Sequence, residues 1–191
     1  MNTYLSSSII FHNDKITTKL QETFGDMEIP VMMDWEDSLM SASAAYVTQN
    51  GGDILEIGFG MGISAGYIHS HSIDSHIIVE NHPQIIPKAV EWASNKSNVT
   101  IVSQSWYDVR NSIGTFDGIF YDTFGDEEWT KFSSSLNGLT KNGTKVTFYN
   151  KRQNETNAFN IPNCQYEQIS VTIDENKYFD GNVYYMPKKE F

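Results

Sequence analysis

The chain has 191 residues, 39% of them hydrophobic and 13% aromatic, enough for one sizeable core and too apolar for a disordered polymer. It carries 13 basic and 24 acidic residues, a net charge of −11, and its only arginines are Arg110 and Arg152, so the cationic footprint that a nucleic-acid or anionic-membrane partner demands is missing. The one cysteine, Cys164, excludes an intrachain disulfide and a thiolate zinc cluster and suits a reducing compartment.

The opening residues have neither a basic stretch nor a long apolar run, so neither a signal peptide nor a membrane span is expected. A single domain over 1–191, located in the cytoplasm as a monomer or homodimer, is the simplest expectation. In chain order, Ile9-Ile10-Phe11 can anchor a short element. Thr17 to Phe24 suggests one or two helical turns ending at Gly25. Pro30-Val-Met-Met33 is a compact apolar segment. Asp37 or Ser38 can cap a helix from Leu39 to Gln49, with Leu39, Ala42 and Tyr46 on its buried face, closed by Asn50-Gly51-Gly52.

From there strands and helices alternate. Ile54–Ile57, Ser75–Val79, Val99–Val102, Phe116–Tyr121 and Lys145–Tyr149 read as strands. Helices are expected at Ile63–His71, Gln84–Ser94 (with Pro83 near its start) and Glu127–Leu136, and a short one at Trp106–Arg110. Tyr166 to Ile173 and Val183 to Met186 read as two further strands around a turn at Asn176–Asn182, with no helix between them. The pattern predicts an α/β fold: a doubly wound, seven-stranded, mostly parallel, Rossmann-like sheet with an antiparallel C-terminal hairpin.

Chemistry concentrates at the turn Glu56-Ile-Gly58-Phe-Gly60-Met-Gly62. Missing side chains let backbone approach a ligand, and the following helix offers free N–H groups. Gly58, Gly60 and Gly62 alone would suit several nucleotides. Glu56, inside the strand, suits an ammonium or an ordered water and opposes a pyrophosphate. Glu80 follows the second strand, where a carboxylate accepts both ribose hydroxyls. With the antiparallel ending, these acids favour S-adenosylmethionine (SAM) over a nicotinamide dinucleotide. Trp106, after the third strand, is placed either beside adenine or in the core, and Asp122, at the carboxyl end of the fourth, is placed at the substrate. His82 follows Glu80 near the cofactor or behind it. His69 and His71 diverge, and no metal site is expected.

Three stretches together resemble guanidinoacetate N-methyltransferase and the fungal-type arginine N-methyltransferases: Pro30-Val-Met-Met-Asp-Trp35-Glu36-Asp-Ser-Leu-Met40, Ile-Leu-Glu56-Ile-Gly58-Phe-Gly60-Met and Phe-Asp-Gly-Ile-Phe-Tyr121-Asp122-Thr123. The Ser105-Trp106 loop and Tyr184-Tyr185-x-Pro187 match as well. The resemblance implies a class I SAM-dependent methyltransferase in which Glu36 and Asp122 hold a guanidinium, Glu80 binds ribose and Trp106 lies by adenine. Ser105, Met33 and Tyr121, which sit within the matching elements, are assigned to the cofactor site. Residues 1–50 are implied to cover the active site. The expected substrate is a small cationic guanidino compound or amine, such as arginine, an arginine derivative or guanidinoacetate. Asn150 to Asn154 departs from the family pattern, so Lys151 or Arg152 is either a contact for a substrate carboxylate or part of a charged surface loop. The competing readings are a methyltransferase of another small amine, a nicotinamide-dependent oxidoreductase and a non-catalytic binding module.

Overall fold

The computed structural model describes residues 4–20, 27–172 and 181–191. Its centre is a sheet of seven strands: β4 (Asp53–Ile57), β5 (Ser75–Val79), β6 (Val99–Val102), β7 (Phe116–Tyr121), β8 (Thr140–Phe148), β9 (Gln165–Ser170) and β10 (Val183–Glu190). Their spatial order is β6-β5-β4-β7-β8-β10-β9. The first five are parallel, and β10 runs antiparallel to both β8 and β9. All seven expected strands are therefore present, with the terminal pair antiparallel as the sequence pattern of strand, turn and strand implied.

Strand β4 shows why the sheet is wound on both faces. Ile54 belongs to one apolar core and Leu55 and Ile57 to the other, and none of the three is more than 2% exposed. The first core is covered by α1 (Asp37–Val47) and α2 (Ile63–Ser70), whose residues Leu39, Met40, Ala44, Val47, Ala65 and Ile68 pack on it. On the second face lie α4 (Trp106–Val109) and α5 (Phe132–Leu139). A Cβ on Gly118 of β7 would stand 2.0 Å from the Val47 carbonyl oxygen, so glycine is what lets α1 seat so close to the sheet.

Some boundaries differ from expectation. The helix foreseen from Gln84 is α3 (Ile86–Ala93), and the proline in its first turn is Pro87, where no backbone hydrogen bond is forfeited. The helix foreseen from Glu127 begins only after a 3-10 turn at Trp129–Lys131. Strand β8 starts at Thr140 and carries Asn142-Gly143 within it.

The larger correction lies upstream. Residues Ile9–Phe11 (β1), Lys15–Lys19 (β2) and Glu28–Met33 (β3) form a separate antiparallel sheet. The helical turns expected from Thr17 are β2 instead, and 21–26 lie outside the described residues. Ile16, Thr17 and Thr18 are β-branched and buried, and their ladder to β3 satisfies the backbone that a helix would have satisfied locally. Among the described residues no helix is long and apolar enough to cross a membrane.

Candidate functional site

A cleft enclosing about 700 Å³, open to solvent, lies at the carboxyl ends of the parallel strands, where open α/β sheets bind ligands. Its walls come from Gly58-Phe59-Gly60 after β4, Glu80-Asn81 after β5, Gln104 and Trp106 after β6, and Asp122 to Asp126 after β7. Tyr4, Val31 and Met32 reach it from the N-terminal region.

The glycine turn is tight for reasons internal to the protein. Gly58 adopts φ +96°, and a Cβ there would lie 1.8 Å from the Asp122 carbonyl oxygen. The cofactor turn is thus pressed against the backbone of the expected substrate acid. A Cβ on Gly60 would meet the Met32 sulfur at 2.6 Å. Gly62 precedes α2 under the Phe59 ring and does not line the cleft.

Glu80 lines the cleft with its carboxylate already anchored. Oε2 accepts the Phe59 N–H at 2.9 Å, and Oε1 accepts those of Asn81 and His82, each at 2.8 Å. Three N–H donors hold one carboxylate in place and stabilise its charge. His82 is fully buried, and burial lowers its pKa. Its Nδ1 accepts the Gln84 N–H at 3.2 Å, so Nε2 carries the proton and donates to the Tyr4 carbonyl, also at 3.2 Å. The Tyr4 ring packs on His82 and Phe124, with centroids 4.7 and 4.9 Å apart. Burial and then the Glu80 charge raise the Tyr4 phenol far above its ordinary pKa. The N-terminal segment therefore closes one side of the cleft.

Trp106 is both a core aromatic and a cleft wall, so the two placements open in the sequence are not exclusive. Its indole N–H donates to Asp126 Oδ2 at 2.7 Å, and the Tyr121 hydroxyl donates to the same oxygen. Asp126 was invisible in the sequence because nothing in Gly125-Asp126-Glu127 names a partner 20 positions earlier. We expect Asp126→Asn to weaken both bonds to this half-buried acceptor and to cost about 1–3 kcal/mol in denaturant unfolding. Unchanged stability would remove Asp126 as the clamp of this wall.

Other assignments move. Met32, not Met33, lines the cleft, and its sulfur accepts the Met61 N–H at 3.3 Å. Successive strand side chains point to opposite faces, so a one-residue slip changes the answer. Tyr121 stacks on Phe132, with centroids 4.2 Å apart, inside the second core and away from the cleft lining. Ser105 precedes α4 as its cap position, while its neighbour Gln104 faces the cleft. Glu56 is wholly buried and also outside the lining. It accepts the Ser64 hydroxyl on Oε1, and His76 Nε2 lies 2.9 Å from Oε2.

The two acids expected at the substrate do come together electrostatically. Glu36, only 3% exposed, ends the 3-10 turn Asp34–Glu36, and its Oε1 accepts the Met33 N–H at 2.9 Å. Asp122 is pushed up to about 8, first by burial, then by the charges of Glu36 and Glu56, with Lys151 opposing. Burial chiefly, and then Asp122 and Glu36, raise the phenol of Tyr184. The Tyr184 hydroxyl accepts the Asn150 N–H at 2.6 Å, and Asn150 Nδ2 donates to the Thr156 and Tyr185 carbonyls, each at 3.0 Å. This clip fixes the start of the loop that carries Lys151.

Residues 11–180 match the family model described as guanidinoacetate N-methyltransferase. The chain belongs to that family. Protein arginine N-methyltransferase 2 of Aspergillus oryzae is 34% identical over 157 residues, covering 77% of this chain and 36% of the relative. The Kluyveromyces lactis protein of the same name is 29% identical over 222 residues, covering 99% and 53%. This chain thus spans about half or less of the length of these relatives. Among solved structures, Thermotoga maritima spermidine synthase superposes with a TM-score of 0.64 at 11% identity, covering 96% of this methyltransferase and 68% of the synthase. That likeness concerns the fold alone: a class I, Rossmann-like SAM-methyltransferase fold. The chain's family and fold are those of SAM-dependent methyltransferases. The cleft fits this cofactor, since it offers an anchored carboxylate, a turn in which Gly58 and Gly60 carry no Cβ, and apolar flanks at Val79, Ile85 and Trp106.

Proposed function

We propose that this methyltransferase methylates a nitrogen of the guanidino group of a small molecule such as arginine, an arginine derivative or guanidinoacetate. The observation that carries the reading is the mutual repulsion of Glu36 and Asp122 beside the cofactor turn. A planar guanidinium with its fan of donors can bridge two such carboxylates and offset the Glu36 charge that raises Asp122.

In this reading Glu80 accepts the ribose hydroxyls, Trp106 flanks the adenine, and the N-terminal segment with Tyr4 and Met32 covers the site. SAM supplies a methyl group on a sulfonium. Glu36 and Asp122 orient the nucleophilic nitrogen toward it, opposite the departing sulfur, and such alignment is worth up to roughly 7–11 kcal/mol in ideal systems. As the N–C bond forms, that nitrogen must lose a proton. Asp122, whose proton affinity is raised by burial, is placed to accept or polarise it. Cytoplasmic location and a monomeric or homodimeric state belong to the same proposal, supported by the single cysteine.

The test incubates the protein with SAM and guanidinoacetate, free arginine, agmatine, simple amines or an arginine-containing peptide, with products read by mass. The relatives' name, protein arginine N-methyltransferase 2, is the reason for the peptide. Methylation of a free guanidino compound supports the proposal. Methylation of amines alone overturns it, and methylation of the peptide alone moves the substrate from small molecule to polypeptide.

A further inference from the structure

Glu56 is the one acid of the glycine-turn motif that does not reach the cleft wall, and its surroundings explain how it acts all the same. Along β4, Ile54 and Glu56 share a face. His76 of β5 pairs with Ile54, which puts the imidazole diagonal to Glu56 on that face. Glu56 and His76 are both fully buried, and Nε2 stands 2.9 Å from Oε2, a close contact rather than an aligned hydrogen bond. The imidazole is the polar group packed against this oxygen of Glu56 inside the sheet. The other oxygen, Oε1, takes the hydroxyl proton of Ser64, the second residue of α2. Ser64 is itself buried apart from the edge with which it lines the cleft.

A hydroxyl has one proton and two lone pairs. With its proton committed to a carboxylate, the Ser64 hydroxyl has only lone pairs left to offer a ligand in the cleft, on an oxygen made more negative by the acceptor it donates to. We infer that Ser64 is a cofactor-binding residue selective for the ammonium of the methionyl end of SAM, and that Glu56 and His76 are positioning residues acting through it. A cofactor carboxylate would be turned away from this oxygen, because both would be acceptors. His76 and Glu56 never touch the ligand, yet they set the polarity of the atom that does.

Two ligands separate this role from a merely structural one. S-adenosylhomocysteine retains the ammonium, and 5′-methylthioadenosine keeps the adenosine but lacks the amino-acid end. Calorimetric titration of Ser64→Ala is expected to show about tenfold weaker binding of S-adenosylhomocysteine and unchanged binding of 5′-methylthioadenosine, in line with loss of one charged hydrogen bond. Glu56→Gln, nearly isosteric, is expected to give the same selective loss. If both ligands weaken in step, or neither does, in Ser64→Ala, the assignment of Ser64 is overturned. Selective loss in Ser64→Ala with none in Glu56→Gln overturns the role of the buried pair. None of these outcomes depends on which substrate receives the methyl group.

Discussion

Asp122→Asn is expected to lower kcat by about 10²-fold or more while S-adenosylhomocysteine binds within about twofold of the parent. The amide keeps the shape of the side chain but neither carries the charge nor takes the proton. Near-normal turnover with saturating substrate would sink both the proton-accepting and the polarising role. The same substitution has a second expected effect of opposite sign. Between the ordinary carboxylate pKa and about 8, folded Asp122 keeps a proton that the unfolded chain has released. The native state then binds more protons than the unfolded one, so stability falls as pH rises through that window. Asp122→Asn removes this loss. Denaturant titrations at pH 5 and pH 8 are expected to show the parent weakening with pH and the variant weakening less. A functional carboxylate held against its preference is a case of stability given up for a site.

Glu36→Gln is expected to lower kcat/KM by about 10²-fold, because in the proposed reading the loss of one charge leaves a bound guanidinium half paired. Glutamine retains an oxygen to accept the Met33 N–H, so the local turn should persist. The pH profile is the sharper readout. If the free enzyme must present ionised Asp122 to a cationic substrate, kcat/KM rises with pH through the raised pKa of that acid. The Glu36 charge is, after burial, the leading cause of that elevation. Neutralising it should move the rising limb to lower pH, even as the plateau falls. A limb that stays in place, or moves upward, would show that the two acids do not act as a pair. Because they titrate together, the limb belongs to the pair and not to either side chain alone.

The central sheet was readable because its strands alternate with helices and are apolar enough to be buried on both faces. The antiparallel tail was readable because the stretch 176–182, most of which lies outside the described residues, reads in the sequence as a turn between two strands. The stretch 17–19, expected as the start of helical turns to Phe24, was misread because its polar residues give no periodicity, and its strand identity comes from partners in Glu28–Met33. In the site, Glu80 and Asp122 were placed by their position just after strands, a rule of topology. Met33 and Tyr121 were expected at the cofactor, whereas Met32 lines the cleft and Tyr121 packs in the second core, because side-chain direction depends on strand phase. Tyr4, Asp126 and Asn150 were missed because their partners lie 5 to 78 positions away and their own neighbours carry no motif.

Strand β10 sits between β8 and β9 although it follows both in the chain. During synthesis, β4 to β8 are all available to pair before β10 exists. The edge of β8 then lies open, with β9 made but without its neighbour, until the last strand slots between them. Met186, fully buried, and Tyr184 join the core only at that step. So does the clip on Asn150, which needs both the Tyr184 hydroxyl and the Tyr185 carbonyl. Among the described residues, the Asn150 region therefore acquires its shape after the glycine turn and Glu80, which belong to strands made earlier. A nascent chain halted before residue 183 should leave the Asn150 region open to a protease that spares it in the finished protein, and equal protection in both would contradict this order of assembly.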